Sequence, residues 1–414
     1  MRWVRWAAVH VTVAALSAAA GVSATVATQH IMSPGGDTAR AAAAERHQAM
    51  NDQAVYQQVE PGIVDVTANL RYLQETARGT GFVINAADGL VLTNNHVIDQ
   101  ATSVTVTLVT SGKSYPARIL GYDSTDDIAL LQVRGATGLT AVRTGDSSLV
   151  DVGTPVLAIG NEAGQGGTPT VAPGVISSLG RTIVASDQSS GLTETLYGTF
   201  QTSADIRPGD SGGPLADAAG RVIGIDTAAG GSTVYSGYAI PINQALPIAR
   251  QIAAGRPGGT GQSGTGQSGT GQSGAGRKSV VQIGLPAFLG VLLPSSTSSD
   301  PSRQDSQELR QADAVSGDGS GCTNGDVPAA PANVTLVRGG ALVDGVLCGT
   351  PADQAGISTG DVITSVAGQE VSSPGSLTTL LRRYHPGSMV PLDWTAPDGS
   401  PHTALVTLAA GPAG

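Results

Sequence analysis

A pentapeptide, Thr-Gly-Gln-Ser-Gly, occurs three times in succession at 260–264, 265–269 and 270–274. It offers no apolar side chain that a core could bury, and Gly/Ser-rich segments of this composition behave as flexible linkers. The 414-residue chain is therefore expected to fold as two parts, 54–254 and 278–414, joined by a linker at 255–277. Such a linker would let the two parts move independently.

The part before the linker is expected to be mostly β. Short apolar or alternating runs recur from Gly62 to Pro241 and are bounded by Gly, Asp, Asn or Pro, which is typical of a β barrel or sandwich. The part after the linker combines strand-like runs with helical segments at Pro351–Ala355 and Pro374–Arg382, which indicates an α+β domain. A polar insert at 295–331 interrupts this second part.

The N-terminus indicates export. Arg2 and Arg5 precede an uncharged run from Trp6 to about Ile31, the pattern of a secretory signal, and the run is also long enough to span a bilayer. Residues 1–31 are therefore either a signal peptide or a membrane anchor, followed by a spacer at 32–53. Both alternatives place the rest of the chain outside the cytoplasm, with membrane contact through the N-terminal segment in the second.

The net charge and the cysteine content argue against two classes of function, nucleic-acid binding and metal binding. The net charge is −10 and no basic stripe is present, so nothing indicates nucleic-acid binding. Cys322 and Cys348 are the only cysteines, and a single pair in an exported chain predicts a disulfide rather than a metal site. No metal or organic cofactor is expected.

A serine in a glycine-rich run is the strongest chemical signal. Ser211 follows Gly209-Asp210 and precedes Gly212-Gly213-Pro214, between two strand-like segments. A serine that attacks a carbonyl needs backbone N–H groups converging on the oxyanion, and glycine permits the bend that this requires. The run therefore predicts a nucleophile loop, provided that a base and an acid accompany it.

His96 and Asp127 are the expected partners of Ser211. His96 is the only histidine between residues 54 and 254 and follows an apolar strand. Asp127 directly precedes the apolar run Ile128–Val133, whereas Asp126 would point the other way on an extended chain and Asp123 would lie in the turn.

These segments resemble the HtrA (Deg) family of trypsin-like serine proteases from about Val55 to Ala254. The resemblance is carried by Gly79–Val83, Thr93–Ile98, Asp127–Leu131 and Gly209–Pro214. It implies a chymotrypsin-like double six-stranded β barrel with a cleft between the barrels.

The same resemblance assigns roles to individual residues. His96 would be the general base, Asp127 its orienting acid and Ser211 the nucleophile. The oxyanion hole would be formed by the backbone of Gly209, Asp210 and Ser211. An extended substrate would pair along the strand edge at Thr227 and Ala228.

The second part resembles a PDZ domain of the kind that follows HtrA proteases. The resemblance rests on Phe288-Leu289-Gly290-Val291 and on the Ala-Gly-(x)3-Gly-Asp-Val-Ile pattern at 355–363. It implies that the 288–291 backbone captures the C-terminal carboxylate of a peptide. A Cys322–Cys348 disulfide would fasten the end of the insert.

The sequence therefore predicts an extracytoplasmic serine endopeptidase that cleaves unfolded or misfolded proteins, with a peptide-binding PDZ domain and, by family analogy, a homo-oligomeric state. Two alternatives remain open. Asp205 lies six residues before Ser211, the spacing at which trypsins place the acid that selects Lys or Arg. We expect small or medium aliphatic residues in the pocket instead, because the whole domain resembles a family with apolar pockets and because Arg207 could pair with a carboxylate of the same loop. The other alternative is a non-catalytic PDZ scaffold.

Overall fold

The computed structural model describes residues 51–164, 166–186, 193–229, 236–255, 281–293, 322–323 and 339–413. The signal or anchor at 1–31, nearly all of the spacer, the linker repeats and most of the polar insert lie outside the described residues. Within the described ranges, no helix is long and apolar enough to cross a membrane.

The first six strands form a closed barrel in the order β1-β2-β3-β6-β5-β4, with β4 returning to β1. Inward-facing valines and leucines such as Val66, Val91 and Leu131 fill it and are almost fully buried. The strands are β1 (Ile63–Leu70), β2 (Glu75–Asn85), β3 (Leu90–Thr93), β4 (Ser103–Leu108), β5 (Ser114–Asp123) and β6 (Ile128–Val133).

A second closed barrel follows, in the order β8-β9-β10-β13-β12-β11, with β11 returning to β8 and the short β7 added in parallel to β12. The predicted chymotrypsin-like double six-stranded barrel is thus confirmed. The strands are β7 (Arg143–Thr144), β8 (Pro155–Gly160), β9 (Thr170–Ser186), β10 (Thr193–Thr202), β11 (Pro214–Asp217), β12 (Arg221–Ala229) and β13 (Ser236–Pro241).

One apolar cluster joins the two barrels. It contains Phe82 and Leu92 from the first barrel and Leu157 and Ile225 from the second, all fully buried. Helices α1 (Asp52–Val59) and α2 (Ile242–Ala253) contribute to the same cluster. Because this shared core fixes the barrels against each other, loops from both can form one site between them.

The predicted α+β architecture of the second part is confirmed by a small sheet, β17-β19-β21-β22 with β20 on β19, and by helices α3 (Pro351–Ala355) and α4 (Pro374–Leu381). Ser373 caps α4 by accepting a hydrogen bond from the Ser376 N–H, and Gly356 ends α3 with a φ of 82°. The strands are β14 (Val281–Ile283), β15 (Ala287–Phe288), β16 (Val291–Leu292), β17 (Ala341–Leu342), β18 (Gly345–Val346), β19 (Val362–Val366), β20 (Gln369–Glu370), β21 (Met389–Thr395), β22 (Pro401–Thr407) and β23 (Ala409–Ala410).

The expectation that the two parts move independently is wrong. β14, which opens the part predicted to start at residue 278, pairs antiparallel with β5 of the first barrel, and Val281 is buried in the core shared by the barrels. At the other end, Ala413 is fully buried against the first barrel and exchanges backbone hydrogen bonds with Gln100 and Ala101. The composition of the linker could not predict these contacts, because they are made by residues that follow the linker in the sequence.

The predicted Cys322–Cys348 disulfide is present, with the two Cα atoms 5.0 Å apart. Thr323 next to it exchanges backbone hydrogen bonds with the strand region around Cys348. The bond therefore holds the Cys322 end of the polar insert on the PDZ core.

Candidate active site

Asp127 is fully buried and holds His96 by two contacts. Its Oδ2 lies 2.9 Å from Nδ1 of the His96 ring, and its Oδ1 accepts the His96 backbone N–H at 2.9 Å. Asn94 donates to the Asp127 carbonyl oxygen at 2.9 Å, and Asp127 adopts a positive φ of 53°, which is rare for a residue with a side chain. The end of β3 and the start of β6 thus fix the imidazole in one orientation.

The neighbouring aspartates have other roles. Asp126 accepts a hydrogen bond from the side-chain amide of Gln244, and Asp123 accepts the backbone N–H groups of Thr125 and Asp126 within the turn. It is Asp127 that contacts the His96 ring, although its positive φ of 53° departs from the extended chain on which Asp127 and Asp126 were expected to point apart.

Ser211 lies in a loop tied to the first barrel through Thr80. The Thr80 N–H donates to the Ser211 carbonyl oxygen at 2.9 Å, and the Thr80 hydroxyl donates to the Gly209 carbonyl oxygen at 2.8 Å. A Cβ on Gly79 would lie 2.7 Å from Val97 and 3.0 Å from the Ser211 carbonyl oxygen. Strand β2 therefore brings the Ser211 loop alongside the segment that carries His96.

Gly212 shows why the loop needs glycine. Its φ is 86°, and a Cβ there would lie 2.1 Å from the Thr80 carbonyl oxygen and 2.3 Å from Oγ1 of Thr93. The Gly212 N–H donates to the Asp226 carbonyl oxygen, which fastens the loop to β12 of the second barrel. The sequence pattern did not predict the contacts of Thr80 and Asp226 with this loop, although Thr80 lies within Gly79–Val83 and Asp226 directly precedes Thr227 on the predicted substrate-binding edge.

Of the three predicted oxyanion-hole groups, the Asp210 N–H is used within the loop itself, where it donates to the Arg207 carbonyl oxygen at 2.9 Å. The Asp210 carboxylate accepts the Arg207 N–H at 2.9 Å and the Thr170 hydroxyl at 3.2 Å. The predicted contribution of Asp210 to the hole is therefore corrected: this residue shapes the loop, because its backbone and side chain both close the turn at Arg207.

Two buried carboxyl groups belong to the nucleophile loop or adjoin it: Asp210 lies within the loop, and Asp226 exchanges backbone hydrogen bonds with Gly212 and Gly213. Burial raises the pKa of Asp210 to about 6, although hydrogen bonds from the Arg207 backbone and Thr170 oppose the shift. Burial, and next the charge of Asp210, raise the pKa of the fully buried Asp226 well above its usual value. Ionising either carboxyl group at these buried positions costs free energy, so the stability of the folded chain depends on pH.

Asp205 is not a buried acid. Its side chain is 56% exposed and forms a salt bridge with Arg207, whose other guanidinium nitrogen binds Glu162 at 2.5 Å. The predicted pairing of Arg207 with a carboxylate of its own loop is confirmed. The next residue, Ile206, is instead fully buried among apolar side chains.

Thr227 and Ala228 lie on β12, where they pair with Tyr238 and Gly237 of β13. Among the described residues, β11 and β7 pair with β12 only up to Ile225, so the other edge of β12 at 227–228 carries no strand.

The turn between β15 and β16 contains the predicted peptide-binding residues Phe288, Leu289, Gly290 and Val291, far along the chain from Ser211. Among the described residues, no cluster of His, Cys, Asp or Glu could hold a metal ion.

The trypsin-like peptidase domain family matches residues 79–225 of the chain, and the PDZ domain family matches residues 328–398. The periplasmic pH-dependent serine endoprotease DegQ of Escherichia coli is 33% identical over 334 residues, covering 80% of this chain and 59% of DegQ. The putative serine protease HhoA of Synechocystis is 33% identical over 317 residues, covering 76% of this chain and 66% of HhoA. The chain is homologous to the DegP, DegQ and HtrA serine proteases.

The chain spans 54 to 66% of the length of the first of these relatives, DegQ, HhoA and DegP. The solved HtrA-type protease AlgW with a tripeptide is 28% identical and covers 88% of this chain and 99% of its own, with a TM-score of 0.44. Several HtrA relatives, including DegQ and DegP of Escherichia coli, are periplasmic.

Proposed function

We propose that this HtrA homologue is a serine endopeptidase that acts through Ser211, His96 and Asp127. The observation that carries the proposal is the buried Asp127 carboxylate, which contacts both the ring Nδ1 and the backbone N–H of His96. This arrangement leaves Nε2 of His96 to take the proton from the Ser211 hydroxyl as Oγ attacks the scissile carbonyl carbon. Asp127 then stabilises the imidazolium, which returns the proton to the leaving amine.

The negative charge on the attacked oxygen needs two fixed donors. Because the Asp210 N–H is used within the loop, we assign the oxyanion hole to the N–H groups of Gly209 and Ser211. The substrate backbone would add to the uncovered edge of β12 at Thr227 and Ala228, the mode in which an extended peptide extends a sheet.

For the residue before the scissile bond we propose a small or medium aliphatic side chain. An exposed carboxylate already paired with Arg207 selects a cation poorly, which argues against the alternative that Asp205 selects Lys or Arg. The scaffold alternative lacks support from the geometry, since a non-catalytic domain has no need of a buried acid aligned with the only histidine of the barrels.

We propose that this activity is located outside the cytoplasm, in the cell envelope. Its proposed substrates are unfolded or partly unfolded proteins. The basic-then-apolar N-terminal segment and the periplasmic relatives support it. The PDZ part would bind the C-termini of such substrates at Phe288–Val291.

Digestion of an unstructured protein such as casein tests the proposal, with the cleaved bonds identified by mass spectrometry. Asp127→Asn should lower kcat/KM by about 10⁴-fold, because the amide favours the wrong imidazole tautomer. Asp126→Asn is the matched control, since Asp126 binds Gln244 and should leave the rate close to that of the parent chain. Equal effects of the two substitutions would contradict the proposed triad.

A further inference from the structure

A cavity of about 920 Å³ lies between the PDZ part and the first barrel. One wall is formed by the end of α4 and the residues after it, including Leu377 and Arg382, and the other includes Arg118 and Tyr122 of β5. The turn Phe288–Val291 closes one side. Because both parts of the chain line this cavity, a peptide bound to the PDZ turn would also contact the barrel.

The cavity has a donor end and an apolar lining. The carbonyl oxygens of Leu289 and Gly290 accept hydrogen bonds from Ala352 and Leu347, at 2.8 and 2.9 Å, which anchors the turn. The N–H groups of Leu289 and Gly290 donate to no backbone carbonyl oxygen of the described residues. Val291 and Leu381 line the cavity and are only half-buried, so the end of a bound peptide meets amide donors and an apolar surface.

The charge of this lining is opposite to that of the chain. The chain carries a net charge of −10, but among the described residues that line the cavity none is Asp or Glu, while Arg118, Arg382 and His385 are present. The salt bridges found among the described residues involve other groups, so neither arginine is neutralised by one of them. Both arginines are exposed, one on the barrel and one beside α4.

We propose that this cavity selects acidic C-terminal peptides, with an apolar last residue at the 288–291 turn and carboxylates further upstream bound by Arg118 and Arg382. The inference rests on the proposed PDZ function and adds its substrate class. It also gives the barrel a part in recognition, because Arg118 belongs to β5 rather than to the PDZ part. Guanidinium groups suit this role because they bind carboxylates through paired donors.

Fluorescence anisotropy of labelled decapeptides tests the proposal in the full chain carrying Ser211→Ala, which prevents cleavage. The acidic probe is fluorescein-Gly-Ser-Glu-Glu-Glu-Ser-Tyr-Thr-Ala-Val, and the neutral probe replaces its three Glu by Gln. A third probe is the acidic peptide with a C-terminal amide. The acidic carboxylate peptide should bind more tightly than the neutral one, and the difference should shrink as salt is raised.

Arg118→Gln and Arg382→Gln should each weaken binding of the acidic probe about two- to fivefold and leave the neutral probe unchanged. Arg383→Gln is the matched control, since Arg383 lies next to Arg382 but binds Gln369 and does not line the cavity. It should leave both affinities unchanged.

Equal affinity of the acidic and neutral peptides would overturn the proposal, and so would an equal loss in Arg383→Gln and Arg382→Gln. Equal affinity of the amide and carboxylate probes would instead contradict C-terminal recognition at Phe288–Val291, and hence the PDZ function on which the inference rests.

Discussion

Arg207 binds the carboxylate of Asp205 through both Nε and Nη2, at 3.0 and 2.6 Å. The third contact of this guanidinium is with Glu162, on the loop after β8. Asp205 has the spacing from Ser211 that is typical of a trypsin specificity residue. It is held at the surface by Arg207 of the same loop.

Fluorogenic peptides with Val, Ala, Leu, Arg or Lys before the reporter should be cleaved best when that residue is aliphatic. Asp205→Ala should leave the order of preference unchanged, because the carboxylate is exposed and already paired. Arg207→Gln should raise kcat/KM for the Arg peptide about two- to fivefold by freeing Asp205. Glu162→Gln is the control, since it leaves the Arg207–Asp205 pair intact. A preference for Arg or Lys that is lost in Asp205→Ala would contradict the aliphatic pocket.

The buried Asp210 predicts stability that falls as the pH rises. An unfolded aspartate has a pKa of about 4, whereas burial raises that of Asp210 to about 6. Between these values the folded state binds more protons than the unfolded state, so the free energy of unfolding decreases with pH and stays lower above pH 6. Asp226, whose pKa is also raised, acts in the same direction.

Urea unfolding at pH 4.5 and pH 7.5 measures this effect. Asp210→Asn should reduce the stability lost between the two pH values by about 2 kcal/mol, because the amide cannot ionise. Asp151→Asn, at an exposed position, should leave the loss unchanged. The same pH dependence in the parent chain and in Asp210→Asn would show that Asp210 is not the group responsible.

The chain up to Pro286 should be a more stable fragment than the chain up to Gly255. The longer fragment keeps β14, which covers the edge of β5 and buries Val281 in the shared core. Loss of this side chain and its strand pairing should cost about 2 to 4 kcal/mol. Thermal melts of residues 51–255 and 51–286 compare the two. Identical melting temperatures would mean that β14 adds nothing to the barrel.

Sequence patterning predicted most of the protease fold because barrel strands are short, half-buried and separated by turn residues. The predicted run Ile128–Val133 coincides with β6. The contacts of β14 and of Ala413 were missed, because a strand of three residues that adds to a distant sheet has no periodicity of its own. Nor could the sequence show which way Asp205 points, since ion pairing with Arg207 depends on loop geometry.

The Cys322–Cys348 bond should stabilise the PDZ part without affecting the proposed catalytic site. The two cysteines are 26 residues apart, and a cross-link of that span stabilises by about 3 kcal/mol through the unfolded state. The double variant Cys322→Ser with Cys348→Ser should therefore melt at a lower temperature and still hydrolyse short peptides at the parent rate. Two free thiols per chain in the denatured, unreduced protein would contradict the bond.

The central claim is that Ser211 is a nucleophile activated by His96 and Asp127. Labelling with a fluorophosphonate, followed by peptide mass spectrometry, tests it most directly, because the reagent modifies only a serine that has an active base beside it. We predict a single adduct, on Ser211, that is absent in Ser211→Ala and reduced by at least about 10³-fold in rate in His96→Ala. An adduct on another residue, or casein hydrolysis that persists in Ser211→Ala, would contradict the account.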